Sequence, residues 1–327
     1  MASMMGILAM ATMAAGPATP ATATAQVLPT VYEAGHFYAV PETADGQKLR
    51  LLVDTGGAGG GGRYVLRQDT ARRLRLPTRT CDGTEVASLP RFKPGQSIPP
   101  PIAPLCGQVA LVGQLDVLGA GYLPGRVWRF DYPARRLTLE GSDWRPDPAA
   151  HAAPLGFPHT AGGRQADGFA RITIRVDGKP LDMLLDTGAT SHPTTAGEKA
   201  SGTPTVKGYG VTSYVTTSVL ERWHKAHPDW RVVDRGDDLF GPAHVMRLIE
   251  VPKVEIAGWS TGPVWFTERP DHNFHDVMSG YMDKEVEGAV GGNVFRHFTM
   301  TIDYPRETAY FRCVKGCKAT ATPPPAP

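Results

Sequence analysis

Short apolar runs alternate with turn residues along most of the chain. The runs are rich in Val, Leu, Ile, Thr and aromatic residues, a pattern that predicts β-strands rather than long helices. With 37 Gly and 30 Pro among 327 residues, the chain is also rich in turns. Only residues 63–76 and 217–227 have the spacing of short amphipathic helices. We therefore predict an all-β protein.

Two of the apolar runs end in the same three residues. Asp54-Thr55-Gly56 follows Leu51–Val53, and Asp186-Thr187-Gly188 follows residues 181–185. An apolar strand that stops at a carboxylate places it at a sheet edge, where glycine lets the backbone turn and frees its amide to bind the carboxylate. A single Asp-Thr-Gly is an ordinary turn. Two copies suggest a pair of carboxylates that act together.

A wider internal repeat surrounds these triplets. Gly119 and Gly291 are 172 positions apart, and so are the triplets Asp131-Tyr132-Pro133 and Asp303-Tyr304-Pro305. The two Asp-Thr-Gly copies are only 132 positions apart, so the second copy carries 40 additional residues before its glycine. Repetition at a fixed offset indicates duplicated structural units. The chain is therefore predicted to be a duplicated lobe with one insertion, which we expect to form a surface loop over residues 190–210.

With this ordered and doubled motif, the sequence resembles the aspartic proteases, and within them the bacterial retropepsin-like proteins more than the longer pepsins. The resemblance spans about residues 32 to 312. It implies an all-β, bilobal fold, in which two pseudo-twofold-related, β-barrel-like lobes with a short helix each enclose a central cleft. It also implies braces behind the two triplets, formed by Val117-Leu118-Gly119 and Ala289-Val290-Gly291.

The resemblance assigns the catalytic role to Asp54 and Asp186. The supporting residues that it implies are Thr55, Gly56, Thr187 and Gly188. Two facing carboxylates share one proton, because like charges at close range cannot both ionise. One carboxylate then activates a water and the other acts as the acid, so we expect hydrolysis of peptide or protein substrates by a monomer, with no metal or organic cofactor required. The alternative is a catalytically inactive peptide-binding module on the same fold.

The family also places a mobile hairpin, the flap, over the cleft. Residues 81–106 occupy the corresponding part of the first lobe, but they include six prolines, and proline removes a donor from a β-ladder. A regular first hairpin is therefore not expected there. In the second lobe, residues 231–234 and 244–251 are predicted to form a hairpin whose tip is at 235–242.

The chain divides into five predicted segments. They are a signal peptide or disordered leader (1–31), an N-terminal catalytic lobe (32–143), a linker (144–167), a C-terminal catalytic lobe (168–317) and a disordered tail (318–327). The leader has an apolar core at residues 6–15 and a site for signal peptidase at Ala23-Thr24-Ala25, which predicts export to the periplasm or the extracellular space. Its core is shorter than the about 20 residues of a membrane span.

Four cysteines allow three disulfide connectivities. Pairing within each lobe, Cys81 with Cys106 and Cys313 with Cys317, needs the smallest excursion of the chain, and export would favour disulfides. In a reducing cytosol the same residues would be free thiols. Their spacing does not match that of paired zinc ligands.

Other chemistries are less well supported. The 34 basic and 32 acidic residues give a net charge of +2 with no basic stripe, so nucleic acid is not expected as a partner. Gly57-x-Gly59-x-x-Gly62 matches a dinucleotide fingerprint but lacks alternating strands and helices around it. Asp271-His272-x-x-His275-Asp276 could bind a metal only if helical. Ser191-His192 lacks the nucleophile elbow of serine hydrolases.

The residues after the triplets predict the pH range of activity. Gly57 and Ala189 have no hydroxyl that could donate to the ionised carboxylate, whereas many acid-active relatives have Ser or Thr there. Loss of such a donor raises the pKa values of the pair. We expect an optimum near about pH 5 to 6, unless Thr190 or Ser191 supplies the donor.

Overall fold

A computed structural model of the chain describes residues 24–58, 64–89, 91–102, 106 and 110–320. Within these residues strands predominate and the helices are short, as the sequence pattern predicts. The apolar core of the predicted leader, at residues 6–15, lies outside the described part, as do residues 321–327 of the predicted tail.

The first half of the chain contributes small strands and one helix, α1 (Gln68–Arg73). Its strands are β1 (Gln26–Val27), β2 (Thr30–Glu33), β3 (His36–Ala39), β4 (Leu51–Val53), β5 (Tyr64–Arg67), β6 (Thr78–Cys81), β7 (Thr84–Ala87), β8 (Ala110–Gly113), β9 (Val117–Leu118), β10 (Val127–Asp131) and β11 (Arg136–Leu139).

The second half adds more strands and three α-helices. Its strands are β12 (His151–Pro154), β13 (Arg171–Val176), β14 (Lys179–Leu185), β15 (Thr190–Ser191), β16 (Gly210–Val211), β17 (Ser213–Thr216), β18 (Val232–Asp237), β19 (Met246–Val251), β20 (Val254–Ile256), β21 (Trp259–Thr261), β22 (Val264–Arg269), β23 (Gly288–Val290), β24 (Phe298–Asp303), β25 (Thr308–Cys313) and β26 (Cys317–Ala319). Its helices are α2 (Thr195–Ser201), α3 (Thr217–Ala226) and α4 (Gly292–Phe295), with a π-helical turn at Asn273–Val277 and 3₁₀ turns at Met278–Tyr281 and Tyr304–Arg306.

The two large sheets repeat one strand order. The eight-stranded sheet runs β2-β3-β4-β9-β5-β8-β7-β6, and the ten-stranded sheet, taken from its other edge, runs β26-β21-β20-β13-β14-β23-β17-β22-β19-β18. The strands from β3 to β6 in the first order therefore correspond one by one to those from β13 to β18 in the second. The parallel pairs also correspond, β4 with β9 to β14 with β23, and β5 with β8 to β17 with β22. The sequence repeat is thus a repeat of topology.

A six-stranded sheet joins the two halves in the order β1-β11-β10-β24-β25-β12. At its centre β10 is antiparallel to β24, and Arg129 is opposite Thr301, its own repeat equivalent 172 positions later. Trp128 and Phe130 from the first half and Met300 and Ile302 from the second are fully buried there. Burial of large apolar side chains from both halves supplies the main stabilisation of this junction. No sheet in the described part closes into a barrel, so the barrel-like lobes that the resemblance implies are not formed as such.

The predicted helix at 63–76 is partly wrong. Residues Tyr64–Arg67 form strand β5, and the helix is limited to Gln68–Arg73. Tyr64 and Leu66 are buried while Val65 is only half-buried, an alternation typical of a strand. A short apolar run does not by itself distinguish a strand from a helix. Residues 64–67 form a strand because they pair in parallel with β8. The second predicted helix, at 217–227, is confirmed as α3.

The insertion is more ordered than the predicted surface loop at 190–210. It contains β15, β16 and α2, and α2 begins where the side chain of Thr194 accepts a hydrogen bond from the amide of Gly197. The helix packs so closely on β18 that a β-carbon at Gly197 would lie 2.0 Å from the carbonyl oxygen of Gly236. The Thr-, Gly- and Ser-rich composition of this segment predicts a loop, and the capped helix α2 is not predicted from it.

Three predicted segment boundaries also differ from the structure. The leader at 1–31 includes β1 and the start of β2, both of which are paired in sheets. The linker at 144–167 includes β12, which pairs with β25. The tail at 318–327 begins inside β26, which pairs with β21. Edge strands of this kind are short and polar, so composition alone identifies them poorly.

Hairpins are present at both flap positions. β18 and β19 form the predicted second hairpin. In the first half, β6 and β7 also pair around a turn in which Asp82 and Gly83 have positive φ angles of 48° and 76°. Asp-Gly is the preferred sequence for such a two-residue turn. The hairpin thus occupies residues 78–87, and the described residues among 88–102, which contain most of the prolines, form no strand.

Both predicted disulfides are present, Cys81–Cys106 and Cys313–Cys317. The first ties the turn of the β6–β7 hairpin to the chain beyond the proline-rich stretch. The second closes the short connection between β25 and β26. Among the described residues, no helix has the length and apolar character needed to cross a membrane. Two disulfides are consistent with the predicted export.

Candidate active site

Each Asp-Thr-Gly triplet follows a central strand of its sheet. Asp54 follows β4, and its amide donates to the carbonyl of Leu118 on β9 at 3.0 Å. Asp186 follows β14, and its amide donates to the carbonyl of Val290 on β23 at 2.9 Å. The apolar segments that the resemblance implied as braces therefore hold both aspartates through the neighbouring parallel strand. The two triplets leave their sheets in the same way.

Backbone amides within each loop bind the carboxylates. The amide of Gly56 donates to Oδ1 of Asp54 at 2.9 Å, and that of Gly188 donates to Oδ1 of Asp186 at 2.9 Å. The next amides, of Gly57 and Ala189, also bind the same carboxylates. Backbone donors favour the ionised form of a carboxyl group. Each aspartate side chain is thus oriented by its own loop.

The two threonines connect the loops reciprocally. The amide of Thr55 donates to Oγ1 of Thr187 at 3.1 Å, and the amide of Thr187 donates to Oγ1 of Thr55 at 3.0 Å. Each hydroxyl then donates across the junction, Thr55 to the carbonyl of Leu185 at 2.6 Å and Thr187 to that of Val53 at 2.8 Å. Both threonines are buried. Four buried hydrogen bonds therefore fix the distance and orientation of one loop relative to the other.

The carboxyl groups of Asp54 and Asp186 lie close enough for each to shift the pKa of the other. Space around them is minimal. A β-carbon at Gly56 would lie 2.4 Å from Cγ of Asp186, and one at Gly188 would lie 2.2 Å from Cγ of Asp54. Only glycine permits this approach of each loop to the opposite carboxyl group.

The two carboxyl groups titrate as one coupled pair. Burial raises the pKa of Asp186 well above its usual range, and the negative charge of Asp54 raises it further. Burial also raises the pKa of Asp54, while its interaction with Asp186 opposes that rise. The pair therefore retains one proton that both carboxyl groups share.

Hydroxyl donors do not reach this pair within the described residues. Thr190, one of the two candidates for that role, donates instead to the carbonyl of Gly188 at 2.7 Å. Ser191, the other candidate, is buried, and no hydrogen bond links it to Asp186. The absence of a hydroxyl at Gly57 and Ala189 is thus not compensated by a neighbouring side chain.

Two further side chains contact the second loop, and neither is identified from the sequence. His36 is buried, with Nε2 3.3 Å from the carbonyl of Ala189 and 3.1 Å from Oγ1 of Thr190. Burial lowers the pKa of His36 to about 4, so its imidazole is neutral over most of the pH range. Tyr214 accepts a hydrogen bond from the amide of Thr190 at 2.8 Å through its hydroxyl. Neither role is predicted from the sequence, because both side chains reach the second loop from other strands.

The residues of the alternative sites have other partners. His272 pairs with Asp276 at 2.9 Å and His275 with Glu287 at 3.0 Å, so each imidazole has its own carboxylate partner. His192 contacts Asp238 rather than Ser191. The glycine run is only partly described, since residues 59–63 lie outside the described part, but the strands around it form no Rossmann arrangement.

Comparison with known proteins identifies no family. No family model matches the sequence, and no curated protein matches it. Among solved structures, the crystal structure of basic 7S globulin from soybean matches with a TM-score of 0.45 and 11% sequence identity, over 90% of this chain and 97% of that chain. It is a distant structural neighbour, and a similarity at this level carries no conclusion about activity.

Proposed function

We propose that the protein is an aspartic endopeptidase in which Asp54 and Asp186 share one proton. The contact between the two carboxyl groups, each held by the amides of its own loop, is the observation that carries this proposal. Like-charged carboxyl groups in contact divide into an acid and a base, which is the division of roles that peptide hydrolysis requires.

The proposed roles follow from the shared proton. The ionised carboxylate of the pair acts as the general base and removes a proton from the attacking water. The protonated partner donates a hydrogen bond to the scissile carbonyl and later provides a proton for the leaving nitrogen. Thr55 and Thr187 keep the loops rigid, and Gly56 and Gly188 orient the carboxylates. This scheme requires neither a metal nor an organic cofactor.

The proposed architecture is bilobal, with the N-terminal lobe over residues 32–143 and the C-terminal lobe over 168–317. The repeated strand order of the two large sheets supports it. The substrate would lie in a cleft between the lobes, beneath the β6–β7 and β18–β19 hairpins. We further propose an exported monomer, periplasmic or extracellular, since both pairs of cysteines form disulfides.

A cleavage assay tests the proposal directly. We expect wild-type protein to cleave an unfolded protein substrate in mild acid, and Asp54→Asn and Asp186→Asn each to lower kcat/KM by at least about 10³-fold, because the pair acts as a unit. Asp229→Asn is the matched control, since Asp229 is an exposed aspartate after α3. Activity within a few-fold of wild type in either dyad variant would reject the mechanism.

The inactive peptide-binding module is the alternative outcome of the same experiment. It predicts that the wild-type protein binds unfolded peptides without cleaving them at any pH. In that case the two Asp→Asn variants would change peptide affinity but leave no catalytic activity to compare.

A further inference from the structure

A cavity of about 370 Å³ lies between the two halves of the molecule, and neither Asp54 nor Asp186 lines it. The β2–β3 turn, at Ala34 and Gly35, forms one wall, and the C-terminal end of α2 forms another. Volumes of about 300 to 1,000 Å³ are typical of small-molecule sites. Helix α2 belongs to the insertion, which the first half of the chain lacks. The described residues of the first half therefore form no counterpart of this cavity.

The mouth of the cavity is positively charged. Arg135 from the first half and Arg296 from the second both line it and are exposed. Within the described residues neither has a carboxylate partner. Arg135 lies 5.6 Å over the ring of Tyr32, and Nε of Arg296 is 3.2 Å from His297. Two unneutralised guanidinium groups favour an anion between them.

The other charged group of the lining does not offset them. Glu250 is bound to Arg231 at 3.2 Å. Tyr32 also lines the cavity, and its hydroxyl makes no hydrogen bond within the described part. Burial raises the pKa of Tyr32, while the charges of Arg135 and Arg296 oppose that rise, which indicates that both guanidinium groups act at the same hydroxyl. A phenol and two guanidinium groups thus form one set of donors.

Part of the cavity lining is apolar. Val211 from β16 and Val264 and Trp265 from β22 are buried residues of that part. Hydrophobic walls beside convergent polar groups are typical of sites for small organic ligands. The site therefore combines an apolar wall with polar lining residues and two cationic side chains.

We propose that this cavity binds a small organic carboxylate, with its apolar body against Val211 and Val264 and its carboxylate between Arg135 and Arg296. The carboxylate can come from an acyl chain or from the C-terminus of a peptide, since both have this chemistry. The site goes beyond the proposed peptidase activity and does not depend on it. A ligand there contacts both halves, and it stabilises the folded protein by mass action.

The test is isothermal titration calorimetry with two matched pairs of probes. N-acetyl-phenylalanine is compared with N-acetyl-phenylalaninamide, and octanoate is compared with octanamide. We expect each amide to bind at least about tenfold more weakly than its carboxylate, because it lacks the charge that the two arginines would bind. The tighter of the two carboxylates identifies the source, peptide or acyl chain. Equal affinities for a carboxylate and its amide would overturn the proposal.

Variants of the lining residues test whether the carboxylate binds in this cavity. The double variant Arg135→Gln/Arg296→Gln should lose at least about tenfold in carboxylate affinity, while Arg136→Gln, an exposed neighbour that does not line the cavity, should not. Ala200→Phe, at the end of α2, should fill the cavity and prevent binding of all four probes. Ala196→Phe, on an exposed position of the same helix, is its control.

Carboxylate binding that is unchanged in the double arginine variant would also overturn the proposal, since it would place the ligand elsewhere, including in the proposed cleft. Calorimetry does not require cleavage, so a failure to bind would leave the peptidase proposal intact. Conversely, an inactive protein that still binds carboxylates through these arginines would separate the two proposals.

Discussion

The two Asp-Thr-Gly loops have the same internal geometry but different surroundings. In both, the glycine amide donates to the aspartate at 2.9 Å, and the threonine hydroxyl crosses to the other half. Around the second loop, Tyr214 and His36 hold Thr190, and Asp186 is only 7% exposed. The first loop continues instead into a glycine run, and Asp54 is half-buried.

The duplication therefore accounts for the carboxylate pair, and the unrepeated residues account for the different surroundings of its two loops. Burial raises the pKa of both aspartates, well above the usual range at Asp186, and the interaction with Asp186 moderates the rise at Asp54. The two carboxyl groups titrate as one coupled pair.

Among the variants that leave both aspartates in place, the largest effect is expected from adding one carbon to either loop. Gly56→Ala and Gly188→Ala place a β-carbon within 2.4 Å and 2.2 Å of the opposite carboxyl carbon, so the carboxyl groups must separate. Since a displacement of about 1 Å can cost 10²-fold in rate, we expect kcat to fall by at least about that factor in both variants. Gly280→Ala is the control, because a β-carbon there meets no atom within 4 Å. Unchanged kcat in Gly188→Ala would show that the carboxyl contact is not needed.

A second prediction concerns the dependence of stability on pH. The pKa of Asp186 is raised on folding, so the native state binds more protons than the unfolded state between the unfolded and folded pKa values. The contribution of Asp186 to the free energy of unfolding therefore falls as pH rises above about 4, by up to about 1.4 kcal/mol per pH unit. Asp186→Asn should reduce this slope and become more stable than wild type near neutral pH.

Urea denaturation at a series of pH values measures that slope. Asp229→Asn, which alters an exposed aspartate, should follow the wild-type curve. Parallel curves for wild type and Asp186→Asn from pH 4 to pH 7 would contradict a pKa of Asp186 that is raised on folding.

The smallest effect is expected from the two threonines, which make equivalent hydrogen bonds in the two loops. Thr55→Val and Thr187→Val each remove a buried hydroxyl that makes hydrogen bonds across the junction. We expect each to lower the free energy of unfolding by about 1 to 3 kcal/mol, and by similar amounts, because the lost bonds are equivalent. Thr138→Val is a matched control, since Thr138 is buried but its hydroxyl has no partner in the described part. A loss in Thr138→Val equal to that of the other two would show that the crossing bonds contribute nothing specific.

Much of this arrangement could be predicted from the sequence, because it depends on local and repeated patterns. Apolar runs that end at Asp54 and Asp186 became central strands, and the shared offset of Gly119 and Gly291 matched the repeated topology. The pairing of Cys81 with Cys106 followed from the short path between them. In each case the structure follows from a local pattern or from a repeated one.

The remaining features depend on contacts between distant residues. Strand β5 was predicted as helix because its pairing with β8 could not be read from its own four residues. His36 reaches Thr190 from 154 positions away, and no local pattern marks such a residue. Helix α2 depends on its cap at Thr194 and on its packing against Gly236. Tertiary contacts of this kind override local propensity.

The most direct test of the shared-proton pair is the pH profile of kcat/KM for the wild-type protein. Its two limbs report the apparent pKa values of the pair, which belong to both carboxyl groups together. Both pKa values are raised by burial, and the hydroxyl of Thr190 donates to Gly188 rather than to a carboxylate. We therefore predict a bell-shaped profile with its maximum at about pH 5 to 6. A maximum below about pH 3.5, or a profile with a single limb, would contradict the account.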